Sequence, residues 1–129
     1  DDHNSFRGSG TEFARWVCQV LPHFVATHHF IADPLIRLDG DVAHCDTYCI
    51  AHHVGEDSDM VLALRYVDRF ERRAGEWRIA KRVCAFDWTY TVPFDPGARF
   101  RFEEDFTVGR RDREDLTYRL LPPDGAGDG

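Results

Sequence analysis

Hydrophobic residues near the start of the chain recur at the spacing of an α-helix. Positions i, i+3, i+4, i+7 and i+8 form one stripe, which consists of Phe13, Trp16, Val17, Val20 and Leu21. Thr11 precedes the stripe with a capping hydroxyl, and Glu12 lies in the first turn. The pattern predicts an amphipathic helix from about Glu12 into the twenties. Pro22 predicts a kink or a second short helical piece that carries Phe24 and Val25.

From His28 onward the hydrophobic period changes to two, which is typical of β-strands. The alternating segments run from His28 to Leu38, Val42 to Val54, Met60 to Arg73 and Glu76 to Trp88. Turn residues separate them at Asp39–Asp41, Gly55–Asp59 and Ala74–Gly75. Four strands joined by tight turns predict an antiparallel meander, and the preceding helix makes this an α+β fold. The charged segment 98–118 is expected on the surface, and residues 119–129 are expected to form a frayed tail.

The composition describes one folded domain. The chain has 129 residues and a mass of 14.9 kDa, with 43% hydrophobic and 13% aromatic residues. A formal net charge of −7 and a pI near 5.4 argue against a nucleic-acid-binding protein and against binding to an anionic membrane surface. No apolar run approaches the roughly 20 residues that span a bilayer. No signal-peptide pattern is visible either.

The cysteines are interpreted as free thiols. They are Cys18, Cys45, Cys49 and Cys84. A chain with this hydrophobic content does not need disulfides, so we expect a reducing compartment and a cytoplasmic protein. On a strand, Cys45 and Cys49 share one face while His44 and His52 point to the other. We therefore expect no metal site here.

The third predicted strand carries a carboxylate in a hydrophobic row. One face of this strand consists of Met60, Leu62, Leu64, Tyr66, Asp68 and Phe70. A carboxylate there must be hydrogen-bonded, paired with a cation or protonated. Asp68 is either in a structural ion pair with an arginine of a neighbouring strand or a functional group that lines a pocket. Arg82, predicted on the same face as Cys84, Phe86 and Trp88, is either the partner of a buried acid or a clamp for a substrate oxygen.

Histidines and tyrosines supply further candidate groups. His28 and His29 open the first strand and face opposite ways, so only one of them can face a given cavity. That histidine is either a satisfied core residue or a general base, provided that a carboxylate holds its other nitrogen. The pair His52–His53 is interpreted as a solvent-facing strand end. Tyr48 and Tyr66 are polar-tipped residues on the sheet, with core packing as the alternative for each.

Several segments, taken in chain order, form a recognisable pattern. They are Thr27–Ile36, Asp39–Ala43, Tyr66–Arg72, Gly75–Arg82 and Asp87–Trp88, with Phe6–Gly8 before the helix and Gly109–Arg113 near the end. Together they resemble the SnoaL-like domain family of the nuclear transport factor 2-like superfamily. The resemblance implies a single domain over residues 1–129. It also implies a cone-shaped α+β barrel, in which a curved antiparallel sheet wraps around helices and leaves a deep apolar pocket.

The resemblance also implies an activity and a set of site residues. The expected protein is a lyase of the dehydratase or β-elimination type, or an isomerase, acting on a hydrophobic polycyclic or aromatic substrate without a cofactor or metal. His29 matches the general base, Asp68 an acidic or amide pocket position, and Arg82 an arginine that contacts the substrate or the leaving group. The expected substrate-binding residues are Trp16, Tyr48, Tyr66, Phe86 and Trp88.

The chain departs from these relatives at its N-terminal end. In them an aspartate on an N-terminal helix orients the histidine, and the sequence from Asp1 lacks those helices. Either they belong to a longer protein, or the chain is a reduced relative without catalysis. The alternatives to an enzyme are therefore a binding module for an apolar ligand and an accessory subunit of a ring-hydroxylating oxygenase. By analogy within the fold, a homodimer or homotrimer is expected to cover the exposed sheet face.

Overall fold

The computed structural model describes residues 6–95 and 106–120, which belong to two compact units, residues 1–98 and 99–129. The elements of the first unit are helix α1 (Gly10–Val20), a 3₁₀ turn (Leu21–His23) and strands β1 (Ala26–Ile31), β2 (Leu35–Asp39), β3 (Val42–Val54), β4 (Ser58–Arg73) and β5 (Glu76–Pro93). None of the helices in the described ranges has the length and apolar character needed to cross a membrane.

The second unit contains the short helix α2 (Leu116–Leu120). Its first turn is preceded by Asp115, whose carboxylate accepts hydrogen bonds from the backbone N–H groups of Thr117 at 2.9 Å and Arg110 at 2.7 Å. The predicted tail, residues 119–129, begins inside α2, and its residues from 121 onward lie outside the described part. The single-domain organisation over residues 1–129 stays a prediction.

Helix α1 begins at Gly10 because Ser9 caps it. The Glu12 backbone N–H donates to the Ser9 hydroxyl at 3.3 Å, and the Ser9 backbone N–H donates to the Glu12 carboxylate at 2.8 Å. This reciprocal capping box makes Ser9 the N-cap, in place of the predicted Thr11. The 3₁₀ turn after α1 ends before Phe24. The sequence predicted that Phe24 is helical, whereas its backbone is extended.

All five strands form one antiparallel sheet in the order β1-β3-β4-β5, with β2 also paired to β3. β1 and β2 together correspond to the predicted first strand, which is interrupted around Pro34. Proline cannot donate a backbone hydrogen bond to a ladder, so the pairing stops there. Both pieces still pair with β3, with Ile31 opposite Cys49 and Ile36 opposite Cys45. The interruption changes the alternation, and Ile31 and Ile36 consequently share one face.

Strand β5 runs past its predicted end and contains an irregularity that changes its faces. Trp88 pairs with Ala63, whereas Phe86 pairs with Leu64, which leaves one extra residue in β5. A bulge of this kind reverses the alternation beyond it. The regular alternation that the sequence predicted from Arg82 to Trp88 is therefore interrupted between Phe86 and Trp88. Trp88 stacks on Tyr90, with 5.4 Å between ring centroids.

The sheet has two chemically different faces. The inner face holds a buried cluster of Cys49, Ala51, Leu64, Tyr66 and Cys84, with Leu62 packed against it. Asp68 lies on this face, as the alternation predicted, and is only 4% exposed. The outer face carries ion pairs and half-exposed aromatic rings. On that face Arg65 donates to Asp46 at 2.7 Å.

Candidate functional site

A cavity of about 800 Å³ lies between helix α1 and the inner face of the sheet. The helix lines it with its apolar stripe, which includes Phe13, Trp16, Val17 and Val20. The sheet contributes apolar side chains and also polar side chains, among them His29, Tyr66 and Arg82. A volume of this size and a mostly apolar lining are typical of sites for small organic molecules.

His29 faces this cavity because of its register in β1. It pairs with Ala51 of the inner face, whereas His28 pairs with His52 of the outer face. The His29 ring stays open to solvent through the cavity, but the surrounding atoms remove enough water to lower its pKa below the ordinary value, and the charge of His28 lowers it further. An imidazole of this kind is neutral near pH 7 and can accept a proton.

Tyr66 connects the polar groups of the cavity. Its hydroxyl lies 3.4 Å from His29 Nδ1 and accepts a hydrogen bond from the Cys49 thiol at 3.6 Å. The Arg82 guanidinium lies over its ring, with 4.2 Å from Cζ to the ring centroid. Burial raises the pKa of Tyr66 above its ordinary value, and the hydrogen bond with Cys49 adds to the rise. The phenol therefore keeps its proton near pH 7 and remains a hydrogen-bond donor.

Asp68 and Arg82 form a bidentate ion pair across neighbouring strands. Arg82 Nε donates to Oδ1 at 2.8 Å, and Nη2 donates to Oδ2 at 2.7 Å. The Asp68 side chain is 2% exposed and the Arg82 side chain 27% exposed. These hydrogen bonds raise the pKa of Arg82, so that the guanidinium stays cationic. Asp68 is thus in an ion pair with an arginine of a neighbouring strand, which was the first of the two interpretations of this residue.

His53 belongs to the cavity although the sequence interpretation placed it at a solvent-facing strand end. Its ring lies 5.4 Å from the ring of His29 and 5.0 Å from that of Phe24, measured between centroids. Its neighbour His52 points to the outer face, where Nδ1 contacts Asp59 Oδ2 at 2.6 Å. The inner-face alternation that runs through β3 was the signal that could have separated the two histidines.

The predicted substrate-binding residues divide into two groups. Those that line the cavity are Trp16, Tyr66, Phe86 and Trp88. Trp88 does so from beyond the bulge and is 49% exposed. The structure does not bring Tyr48 to this group: the residue is 61% exposed on the outer face, 6.0 Å from the Arg65 guanidinium. Tyr48 points outward because it directly precedes Cys49, which faces inward.

Within residues 6–95 and 106–120, no three side chains of His, Cys, Asp or Glu come close enough to hold a metal ion. The four cysteines are free thiols, with Cys49 and Cys84 buried next to Tyr66.

Comparisons with known proteins agree with this architecture. The profile of the SnoaL-like domain family matches residues 2–83. A protein named as a candidate scytalone dehydratase from Novosphingobium aromaticivorans DSM 12444 has a similar structure, with 19% identity, a TM-score of 0.59 and coverage of 74% of this chain and 69% of that one. The Kfla4162 protein from Kribbella flavida has 20% identity and a TM-score of 0.57, with coverage of 62% of this chain and 59% of that one.

A third structure, of a single-residue variant of the Rv3472 protein from Mycobacterium tuberculosis, is described as that of a protein of unknown function. It has 27% identity and a TM-score of 0.50, and the match covers 57% of this chain and 44% of that one. This chain therefore spans less than two thirds of the Kribbella and Mycobacterium proteins. A search of curated proteins found no match.

The family match and the structural neighbours confirm the predicted α+β fold of the nuclear transport factor 2-like type, here with a curved five-stranded antiparallel sheet that is not closed. The chain belongs to the SnoaL-like domain family.

Proposed function

We propose that the protein is a cofactor-independent lyase or isomerase in which His29 removes a proton from a carbon next to a carbonyl group. The observation that carries the proposal is a neutral imidazole on the wall of a large apolar cavity, hydrogen-bonded to a buried phenol. The name of the Novosphingobium neighbour supports the lyase class, since a dehydratase needs the same proton abstraction. The apolar lining favours a hydrophobic polycyclic or aromatic substrate.

In the proposed mechanism His29 donates to Tyr66 through Nδ1 and acts as the base through Nε2. When Nδ1 carries the hydrogen and donates it to the Tyr66 oxygen, the lone pair is on Nε2, which accepts the substrate proton. The Tyr66 oxygen then accepts from both His29 and Cys49, and its own hydroxyl hydrogen is left to donate to a substrate oxygen.

Arg82 completes the reaction site in this proposal. As the C–H bond breaks, its proton moves to Nε2 and its electron pair moves toward the carbonyl oxygen. The cationic guanidinium beside Tyr66 stabilises the negative charge on that oxygen. In an isomerase the imidazolium returns the proton to a different carbon. In a dehydratase the proton goes to a β-hydroxyl group, which leaves as water while a carbon–carbon double bond forms.

Both reaction classes share the first step, and deuterium exchange measures it. We expect the protein in D₂O to speed up the exchange of the methylene hydrogens of 1-phenylpropan-2-one, followed by proton NMR. A positioned general base accounts for about 10²–10⁴-fold of such an acceleration. His29→Gln should abolish this contribution while the circular dichroism spectrum stays unchanged.

His28→Gln is the matched control. It makes the same change one residue earlier on β1, on the outer face of the sheet. We expect exchange within about twofold of the wild-type rate. Equal exchange rates for wild-type protein and His29→Gln would remove His29 from the mechanism.

A non-catalytic binding module is the second candidate function. One observation favours it: among the described residues, no carboxylate contacts His29, and its hydrogen-bond partner is a phenol. In this case the cavity holds an apolar molecule without reaction. Saturable binding of 1-phenylpropan-2-one without accelerated exchange, unchanged in His29→Gln, would support the module and contradict the enzyme.

A further inference from the structure

A second cavity opens on the inner face of the same sheet, next to the first. Its volume is about 440 Å³, and most of the residues that line it are apolar. The apolar side chains come from all five strands and include Ile31, Ile36, Leu38, Phe70 and Trp77. Two polar residues, Tyr66 and Arg82, line both cavities.

The strand register explains why the two cavities are neighbours. On β4, Leu62 and Leu64 line the first cavity, Asp68 and Phe70 line the second, and Tyr66 lies between these pairs. All five residues have the same parity and face inward. The two cavities are thus two compartments of one concave surface, and the phenol with the guanidinium above it forms the boundary.

Arg82 has hydrogen-bonding capacity left at this boundary. A guanidinium has five N–H donors, and Asp68 accepts from two of them. The remaining three have no hydrogen-bond partner among the described residues, and 27% of the side chain is exposed. A cation with unused donors between two apolar compartments is suited to hold an oxygen atom whose two neighbouring groups are both apolar.

We infer that the substrate of the proposed reaction is elongated, with an oxygen at its centre and an apolar group on each side. The oxygen binds to Arg82 and Tyr66, one apolar group lies beside His29 in the first compartment, and the other lies against Trp77 in the second. This inference rests on the proposed function for the identity of the reacting site. The second compartment determines specificity because it adds apolar contact area only for substrates with two such groups.

Two ketones that differ by one ring test the inference. The probe 1,3-diphenylpropan-2-one has a phenyl group on each side of its carbonyl, whereas 1-phenylpropan-2-one has only one. All three tryptophans report on the compartments, since Trp16 and Trp88 line the first and Trp77 lines the second. Labelling with 5-fluorotryptophan gives one fluorine NMR signal for each, assigned by single Trp→Phe variants.

The expected result has two parts. The diphenyl ketone should bind at least tenfold more tightly, since a second ring removes a large apolar area from water. It should also shift the Trp77 signal, which the monophenyl ketone should leave unchanged.

A pair of variants on β2 provides the control. Ile36 faces the second compartment, while Leu35 points to the outer face and pairs with Asp46; both are exposed, so neither change threatens the core. Ile36→Gln should weaken binding of the diphenyl ketone at least fivefold and leave the monophenyl ketone unaffected. Leu35→Gln should change neither affinity.

Three outcomes would overturn the inference. They are equal affinities for the two ketones, a Trp16 response to the diphenyl ketone without a Trp77 response, and no saturable binding of either ketone. The second outcome would mean that both rings occupy the large cavity. All binding measurements are repeated in His29→Gln, which lacks the proposed base. A failure of the exchange chemistry is therefore distinguishable from a failure of the two-compartment inference.

Discussion

Replacing Arg82 with alanine should destabilise the protein more than replacing its partner Asp68. The Asp68 carboxylate is 2% exposed and accepts two hydrogen bonds, of 2.8 and 2.7 Å, from the guanidinium. Arg82→Ala leaves this carboxylate desolvated and without its cation. Loss of one partner from a buried ion pair costs about 3–5 kcal/mol. Because the Arg82 side chain is 27% exposed, we expect the lower end, about 3 kcal/mol.

The reverse substitution has a smaller expected cost. In Asp68→Ala the guanidinium is left alone, but it is partly exposed and lines both cavities, where water can reach its donors. The loss of the charge-assisted hydrogen bonds then costs about 1.5–2 kcal/mol. The ordering of the two variants, rather than either value, follows from the unequal burial of the two side chains.

Urea unfolding at pH 7 measures these differences. Arg72→Ala is the control, since Arg72 contacts Asp41 at 2.6 Å but both side chains are well exposed, 48% and 69%. It should cost only about 0.2–1 kcal/mol. If Asp68→Ala proves as costly as Arg82→Ala, the carboxylate is not the desolvated member and the reasoning is refuted.

Two further predictions concern His29 and the β4–β5 turn. Burial lowers the pKa of His29, so the acid limb of kcat/KM for exchange should lie below pH 6.5. Proton NMR titration of His29 should give the same midpoint. A midpoint above 6.5 would contradict the effect of burial. In the turn, Ala74 has φ 51° and Gly75 φ 84°, so Ala74→Gly should stabilise the protein by about 0.5 kcal/mol and Gly75→Ala should destabilise it by about 1 kcal/mol. Thermal unfolding checks both signs, and changes of the same sign would argue against the left-handed turn.

Local sequence patterns determined the elements and the composition of the inner face. The 3.6-residue stripe from Phe13 to Leu21 gave the helix face that lines the cavity, and the two-residue alternation placed Asp68 among inward-facing hydrophobic residues. These features could be predicted because side-chain direction repeats along a helix or strand with a fixed period. The family resemblance added the overall arrangement of sheet and helix.

Tertiary structure decided which residues meet, and it interrupted the alternation of the first predicted strand and of β5. The break at Pro34 and the bulge before Trp88 shift the alternation by one residue, and periodicity alone cannot locate such shifts. The contact of His29 with Tyr66, residues far apart in sequence, exists because β1 and β4 both pair with β3 in one register. The sequence thus supplied the chemical groups of the site, while hydrogen bonding between strands determined their neighbours, because register is a property of strand pairs.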